Sequence, residues 1–138
     1  MPIYEPISEG VCRVLLAEDT PSNAILVMEV LAMANCQTEL VTDGLQAFQA
    51  CQQREFDVVV MDVHMPEMDG IEATAAIRKW EYESGHRRNM VIGLTASAMS
   101  HEIDQCWSSG MDMVLTKPID VPKLLGIMRS ACFANQAD

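Results

Sequence analysis

Five side chains stand where short apolar runs end, and together they could manage a divalent cation and a phosphoryl group. Glu18-Asp19 close the run from Arg13, Asp62 follows Val58–Met61, Thr95 follows Val91–Leu94, and Lys117 follows Met113–Thr116. Carboxylates about 4 Å apart repel by on the order of 4 kcal/mol at an effective dielectric of 20. Mg²⁺ held by one or two of them, with water completing its shell, relieves that repulsion, and Mn²⁺ is the alternative. The Thr95 hydroxyl and the Lys117 ammonium can donate to the oxygens of a transferring phosphoryl group. Asp62 is then the natural acceptor, since phosphoryl transfer needs positioning and charge neutralisation more than covalent help. The bland alternative makes the acids helix caps and leaves Thr95 and Lys117 simply solvated; the coincidence of all five argues against it.

These residues need a scaffold that brings strand ends together. Runs rich in Val, Leu, Ile and Met suit strands buried on both faces of a parallel sheet. Strands are predicted at 12–17, 37–42, 57–61, 90–95 and 112–116. Helices follow Thr20-Pro21 and Asp43-Gly44, then span about 70–83 and 98–108, and the last starts after Asp120. Apolar spacing predicts buried sides at Ile25, Val27, Met28, Leu31 and Ala32 and at Leu45, Phe48 and Cys51. It does the same at Met99, Ile103, Cys106 and Trp107, and at Leu124, Leu125, Ile127 and Met128. Gly110 ends its helix in the C′ manner. The alternation predicts an α/β fold, a doubly wound (βα)5 flavodoxin-like sandwich. Strand order is not readable directly, but 2-1-3-4-5 would gather the polar residues at the switch between strands one and three. Residues 1–10 read as a leader or interdomain linker, 11–133 as the domain and 134–138 as a tail.

Composition narrows the function classes. The 138 residues carry a formal charge of -11 with nine Lys and Arg, which argues against nucleic acid and against docking on anionic lipid. No stretch is long and apolar enough to span a bilayer. The cysteines at 12, 36, 51, 106 and 132 show no CxxC spacing, so reduced core thiols and a cytoplasmic location are expected. His86 and His101 read as surface residues.

The segments LLAEDTPSN (15–23), VVVMDVHMPEMDG (58–70), GLTASAM (93–99) and GMDMVLTKPI (110–119) resemble response-regulator receiver domains, most closely those of hybrid sensor histidine kinases. The resemblance covers about 11–133. It implies that Asp62 accepts a phosphoryl group from a histidine kinase or a histidine phosphotransfer domain, and that the domain then changes conformation. Glu18, Asp19, Asp62 and the backbone carbonyl of His64 would ligate Mg²⁺. Thr95 and Lys117 would bond the phosphoryl group, as would the backbone amides of Val63 and Ala96. The Lys117–Pro118 peptide is expected to be cis. Such a chain is a phosphoacceptor rather than an enzyme, and its homodimerisation is left open. His64, two residues after the acceptor, is placed to influence hydrolysis of the phosphoaspartate.

One departure bears on mechanism. Family members usually carry Tyr or Phe three residues before the lysine, where this chain has Val114, so an aromatic swing cannot relay the signal there. Two further readings compete. A haloacid-dehalogenase-like phosphohydrolase would want an Asp where His64 stands, and a pseudo-receiver docking module would not need all five site residues.

Overall fold

Three consecutive valines, Val58, Val59 and Val60, occupy the middle strand of the sheet, and each is completely buried. In this computed structural model, which describes residues 12–97 and 99–136 with side chains as far as Cys132, five strands alternate with five helices. The expected leader at 1–10 lies outside the described residues. The strands are β1 (Cys12–Ala17), β2 (Cys36–Val41), β3 (Val58–Asp62), β4 (Met90–Thr95) and β5 (Met113–Thr116), all parallel in the order 2-1-3-4-5. The sheet is the doubly wound one expected. β3 runs one residue further than predicted and so ends on Asp62 itself.

Side chains alternate across a strand, so each strand feeds two cores. Val14, Leu16, Val58, Val60, Ile92 and Leu94 face α1 (Pro21–Met33) and α5 (Val121–Gln136), meeting Val27, Leu31, Leu124 and Met128. Leu15, Ala17, Val59, Met61 and Val91 face α2 (Gly44–Gln53) and α3 (Gly70–Ser84), meeting Ala47, Cys51, Ala73 and Ile77. Burying a Val or Leu side chain contributes roughly 1.5–3 kcal/mol, which is why uninterrupted apolar strands need both layers.

Local chemistry sets the helix ends. The Asp43 carboxylate accepts from the Gln46 amide at 2.8 Å, and Asp69 and Glu72 form a reciprocal capping box. Pro21 opens α1 as expected, but the Thr20 side chain makes no cap bond. Helix α5 continues through residues 134–136, which the sequence had suggested were tail.

Several expected core positions are exposed. On α1 the buried stripe is Ala24, Val27, Val30 and Leu31, and Ile25 and Ala32 point away from it because neighbours in sequence lie about 100° apart around a helix. Leu45 is exposed on α2. On α4 (Ser100–Ser109) only Cys106 is buried, while Met99 just before it and Trp107 face solvent. Cys106 is the residue of that stripe turned fully inward, and Trp107 lies about 100° further round the helix. His86 is also less of a surface residue than expected. Its ring packs on Trp80, with centroids 4.6 Å apart, and its Nδ1 lies 2.6 Å from the Arg87 carbonyl oxygen.

A half-buried polar clasp closes the sheet end opposite the strand carboxyl termini. The Arg78 guanidinium donates to the Gly110 carbonyl (2.9 Å), the Asn89 carbonyl (2.8 Å), Glu81 (2.9 Å) and Asp112 (2.9 Å). Asp112 also accepts from the Val91 amide at 2.9 Å and pairs with Arg88. Gly110 has φ 108°, and a Cβ there would meet the Arg78 side chain at 2.8 Å.

The cysteines correct the expectation of five free core thiols. Cys12 at the start of β1 and Cys132 on α5 form a disulfide across 120 positions, and the Cys36 Sγ lies 3.8 Å from that of Cys132. Cys51 and Cys106 are free and buried, as expected. Burial and the nearby Asp57 carboxylate push the Cys36 thiol up to about 11. Alkylating the air-oxidised, denatured protein should label three thiols, and five after reduction; five labels in both would show that the pair does not form. Chain-entropy reasoning puts the cross-link at roughly 5 kcal/mol, so urea midpoints with and without reductant should differ clearly.

Candidate functional site

The last residues of β3 and β4 and the loops after β1 and β5 carry the polar residues to one rim. Asp62 is the last residue of the central strand and only 3% exposed. Two glycines allow close backbone approaches here, one at Asp62 itself and one in the loop that follows. The Gly70 amide donates to the Val63 carbonyl at 2.8 Å, and a Cβ on Gly70 would lie 2.2 Å from the Asp62 carbonyl oxygen. Across the rim the Gly44 amide donates to the Met68 carbonyl at 2.8 Å, where a Cβ would lie 2.2 Å from the same oxygen. The Asp-Gly at 69–70 is thus a packing requirement as well as a helix start.

Around Asp62 the charges gather as the sequence suggests. The Lys117 Nζ stands 3.0 Å from the Asp62 Oδ1 and 3.2 Å from the Glu18 Oε1, and the Lys117–Pro118 peptide is cis. Glu18 is buried and its other oxygen accepts from the Thr20 amide at 3.2 Å. Asp19 is exposed, yet it can offer an oxygen within 4.8 Å of those of Glu18 and Asp62. Three carboxylates with one close ammonium fit a hard divalent cation of the Mg²⁺ kind, which favours oxygen ligands and tolerates retained water. Desolvation raises the Asp62 carboxyl to about 6; Lys117 works against this and the neighbouring Glu18 adds to it. Desolvation lowers the Lys117 ammonium, but Asp62 and Glu18 outweigh it and the net shift is upward.

Thr95 is completely buried at the end of β4, with its hydroxyl already engaged. It accepts from the Ser97 amide at 3.1 Å and donates to the Glu102 carboxylate. Glu102 in turn lies 3.1 Å through both oxygens from the Nε2 of His64, an exposed side chain two residues past Asp62. Sequence reasoning missed Glu102. Its only signal was a carboxylate at the third position of α4, which reads as an ordinary first-turn acid. Ala96 is exposed beside Thr95. The Val63 amide is not free as expected, since it donates to the Leu94 carbonyl at 2.9 Å; a phosphoryl oxygen would have to share that donor or displace the bond.

Two outcomes test this geometry. Gly70→Ala should destabilise the domain by about 2 kcal/mol or more, because backbone rather than a flexible side chain must yield. In the metal-free protein Asp62 keeps its proton up to about pH 6, whereas the unfolded chain loses it near 4. Stability therefore falls as pH rises between those values. Asp62→Asn should melt a few degrees above wild type at pH 7, and the gap should close below pH 4. Equal melting across that range would remove Asp62 as a strained carboxylate.

The family model described as response regulator receiver domain matches residues 14–129. The sensor protein GacS of Pseudomonas syringae pv. syringae is 42% identical over 126 residues, which cover 91% of this chain and 14% of that protein. The sensor histidine kinase GacS of Pseudomonas protegens is 40% identical over 90% of this chain and 14% of its own length. Among solved structures, the receiver domain of the sensor histidine kinase PA1611 from Pseudomonas aeruginosa PAO1, with a magnesium ion coordinated in its active site cleft, is similar. It superimposes with a TM-score of 0.78 at 30% identity, covering 88% of this chain and 98% of that one. By its matched residues and its (βα)5 architecture, the chain belongs to the response regulator receiver family and is a receiver domain of two-component phosphorelay signalling.

Proposed function

We propose that Asp62 accepts a phosphoryl group from the phosphohistidine of a histidine kinase or of a histidine phosphotransfer protein. The observation that carries this is the placement of a buried carboxylate at the end of the central strand, 3.0 Å from the Lys117 ammonium and beside two further acids. A carboxylate oxygen of Asp62 attacks phosphorus as the histidine N–P bond breaks. The electron pair leaves with the imidazole nitrogen, and an aspartyl phosphate remains.

Each residue then has a role this geometry permits. Lys117 leaves its pair with Asp62 for a phosphoryl oxygen, and Thr95 donates its hydroxyl proton to another. The Ala96 amide adds a donor, and the Val63 amide joins once it shares its bond with Leu94. Glu18, Asp19, Asp62 and the carbonyl oxygen of His64 would hold Mg²⁺, in keeping with the magnesium of the PA1611 receiver. When bound, the ion supplies neutralisation of the negative charge that gathers as phosphate meets carboxylate. His64, exposed two residues past Asp62, would influence hydrolysis of the aspartyl phosphate.

Relatives from Dictyostelium discoideum are named hybrid signal transduction histidine kinases, which supports a hybrid histidine kinase as the parent signalling protein; we place this domain on its cytoplasmic side, where a phosphohistidine partner would meet it. No helix among the described residues is long and apolar enough to cross a membrane. Intact-mass spectrometry after incubation with acetyl phosphate tests the central claim. One phosphoryl adduct should form with Mg²⁺, and none with a chelator or in Asp62→Asn. An adduct surviving in Asp62→Asn would move the acceptor elsewhere.

A further inference from the structure

Helix α4 is loosely attached, and one carboxylate fixes its first turn. Only Cys106 of the helix is buried, no side chain caps its N-terminus, and Met99 and Trp107 lie in solvent. Against this, Glu102 in the first turn accepts the Thr95 hydroxyl proton and sits 3.1 Å from the His64 Nε2. The Glu102 side chain is 19% exposed, so it makes these contacts largely out of solvent. It therefore ties α4 to the end of β4 and to the loop after β3 at the same time.

A threonine hydroxyl has one proton to donate. If that proton goes to a phosphoryl oxygen on Asp62, it leaves Glu102. The incoming group also brings negative charge toward a rim where Glu102 is already an anion, so the two compete for the donor and repel each other. The side chain at 114 is valine, and no aromatic rotamer at that position can report the state of Thr95.

We propose that Glu102 is the positioning residue that couples Thr95 to α4. It holds the Thr95 hydroxyl while Asp62 is unmodified, and it is released, freeing the first turn of α4, when a phosphoryl group takes that hydroxyl. This rests on Asp62 being the phosphoacceptor. It predicts that removing the carboxylate makes the site easier to occupy and leaves α4 unable to respond.

Trp107 provides a reporter on the same helix. With Trp80→Phe as the parent background, Trp107 is the sole indole. Beryllofluoride with Mg²⁺ serves as the phosphoryl probe, its binding read by fluorine resonance and α4 by Trp107 emission. The parent should bind and shift its emission. Glu102→Ala should bind about threefold to tenfold more tightly, and its emission should already resemble the bound parent before the probe is added. Glu102→Gln keeps a weaker acceptor for Thr95 and should fall between, which also decides the matter if the alanine variant does not fold. Parent-like affinity together with a parent-like emission change in both variants would overturn the coupling. Absence of a bound fluorine signal in the parent would instead remove the acceptor reading of Asp62, and the coupling with it.

Discussion

The Lys117 ammonium lies 3.0 Å from Asp62 and 3.2 Å from Glu18, and much of the molecule answers to that shortage of positive charge. Two buried carboxylates share one cation while Asp19 adds a third acid at the rim. Such a cluster works against folding, and a protein of marginal stability tolerates it only if the rest of the structure compensates. The compensation is the sheet: β1, β3 and β4 are packed on both faces, and the strained group sits at the end of the best-buried strand. Stability is spent at the place where a divalent cation can restore the balance.

What was legible in the sequence follows from which signals are local. The strands could be read because burial on both faces writes continuous apolar runs, as in Val58–Met61. The rim could be read because polar residues end those runs. Strand order became accessible only through the chemistry, since Asp62, Thr95 and Lys117 must meet. The contacts that were missed are tertiary. Nothing about Cys12 and Cys132 marks them as neighbours across 120 positions. Met99 and Trp107 have core spacing, yet of that stripe only Cys106 is fully buried. The family resemblance implied the Val63 amide as a phosphoryl donor, but that amide already bonds the Leu94 carbonyl.

Glu102 shows how a functional contact can hide in a conventional position. An acid in the first turn of a helix needs no special explanation, because it favours the helix dipole. Only the fold reveals that the Thr95 hydroxyl and the His64 ring converge on this one. The same residue thus meets a local helix preference and a long-range contact.

The Arg78 clasp gives the domain a mechanical asymmetry. The carbonyl of Gly110, just past the end of α4, receives hydrogen bonds from both Arg78 and Arg88, and Asp112 is fixed by the same two guanidinium groups. The far end of the helix is therefore a fulcrum, and its near end is the arm. Ten residues at 1.5 Å each make that arm about 15 Å long, so a tilt of about 5° carries the first turn roughly 1.3 Å while Gly110 stays still. A displacement of that size exceeds what a hydrogen bond can stretch to follow, and it sweeps the exposed indole of Trp107 through a smaller arc than Met99. Pivoted at Gly110, α4 would have the geometry of a lever whose widest travel lies beside the Asp62 rim.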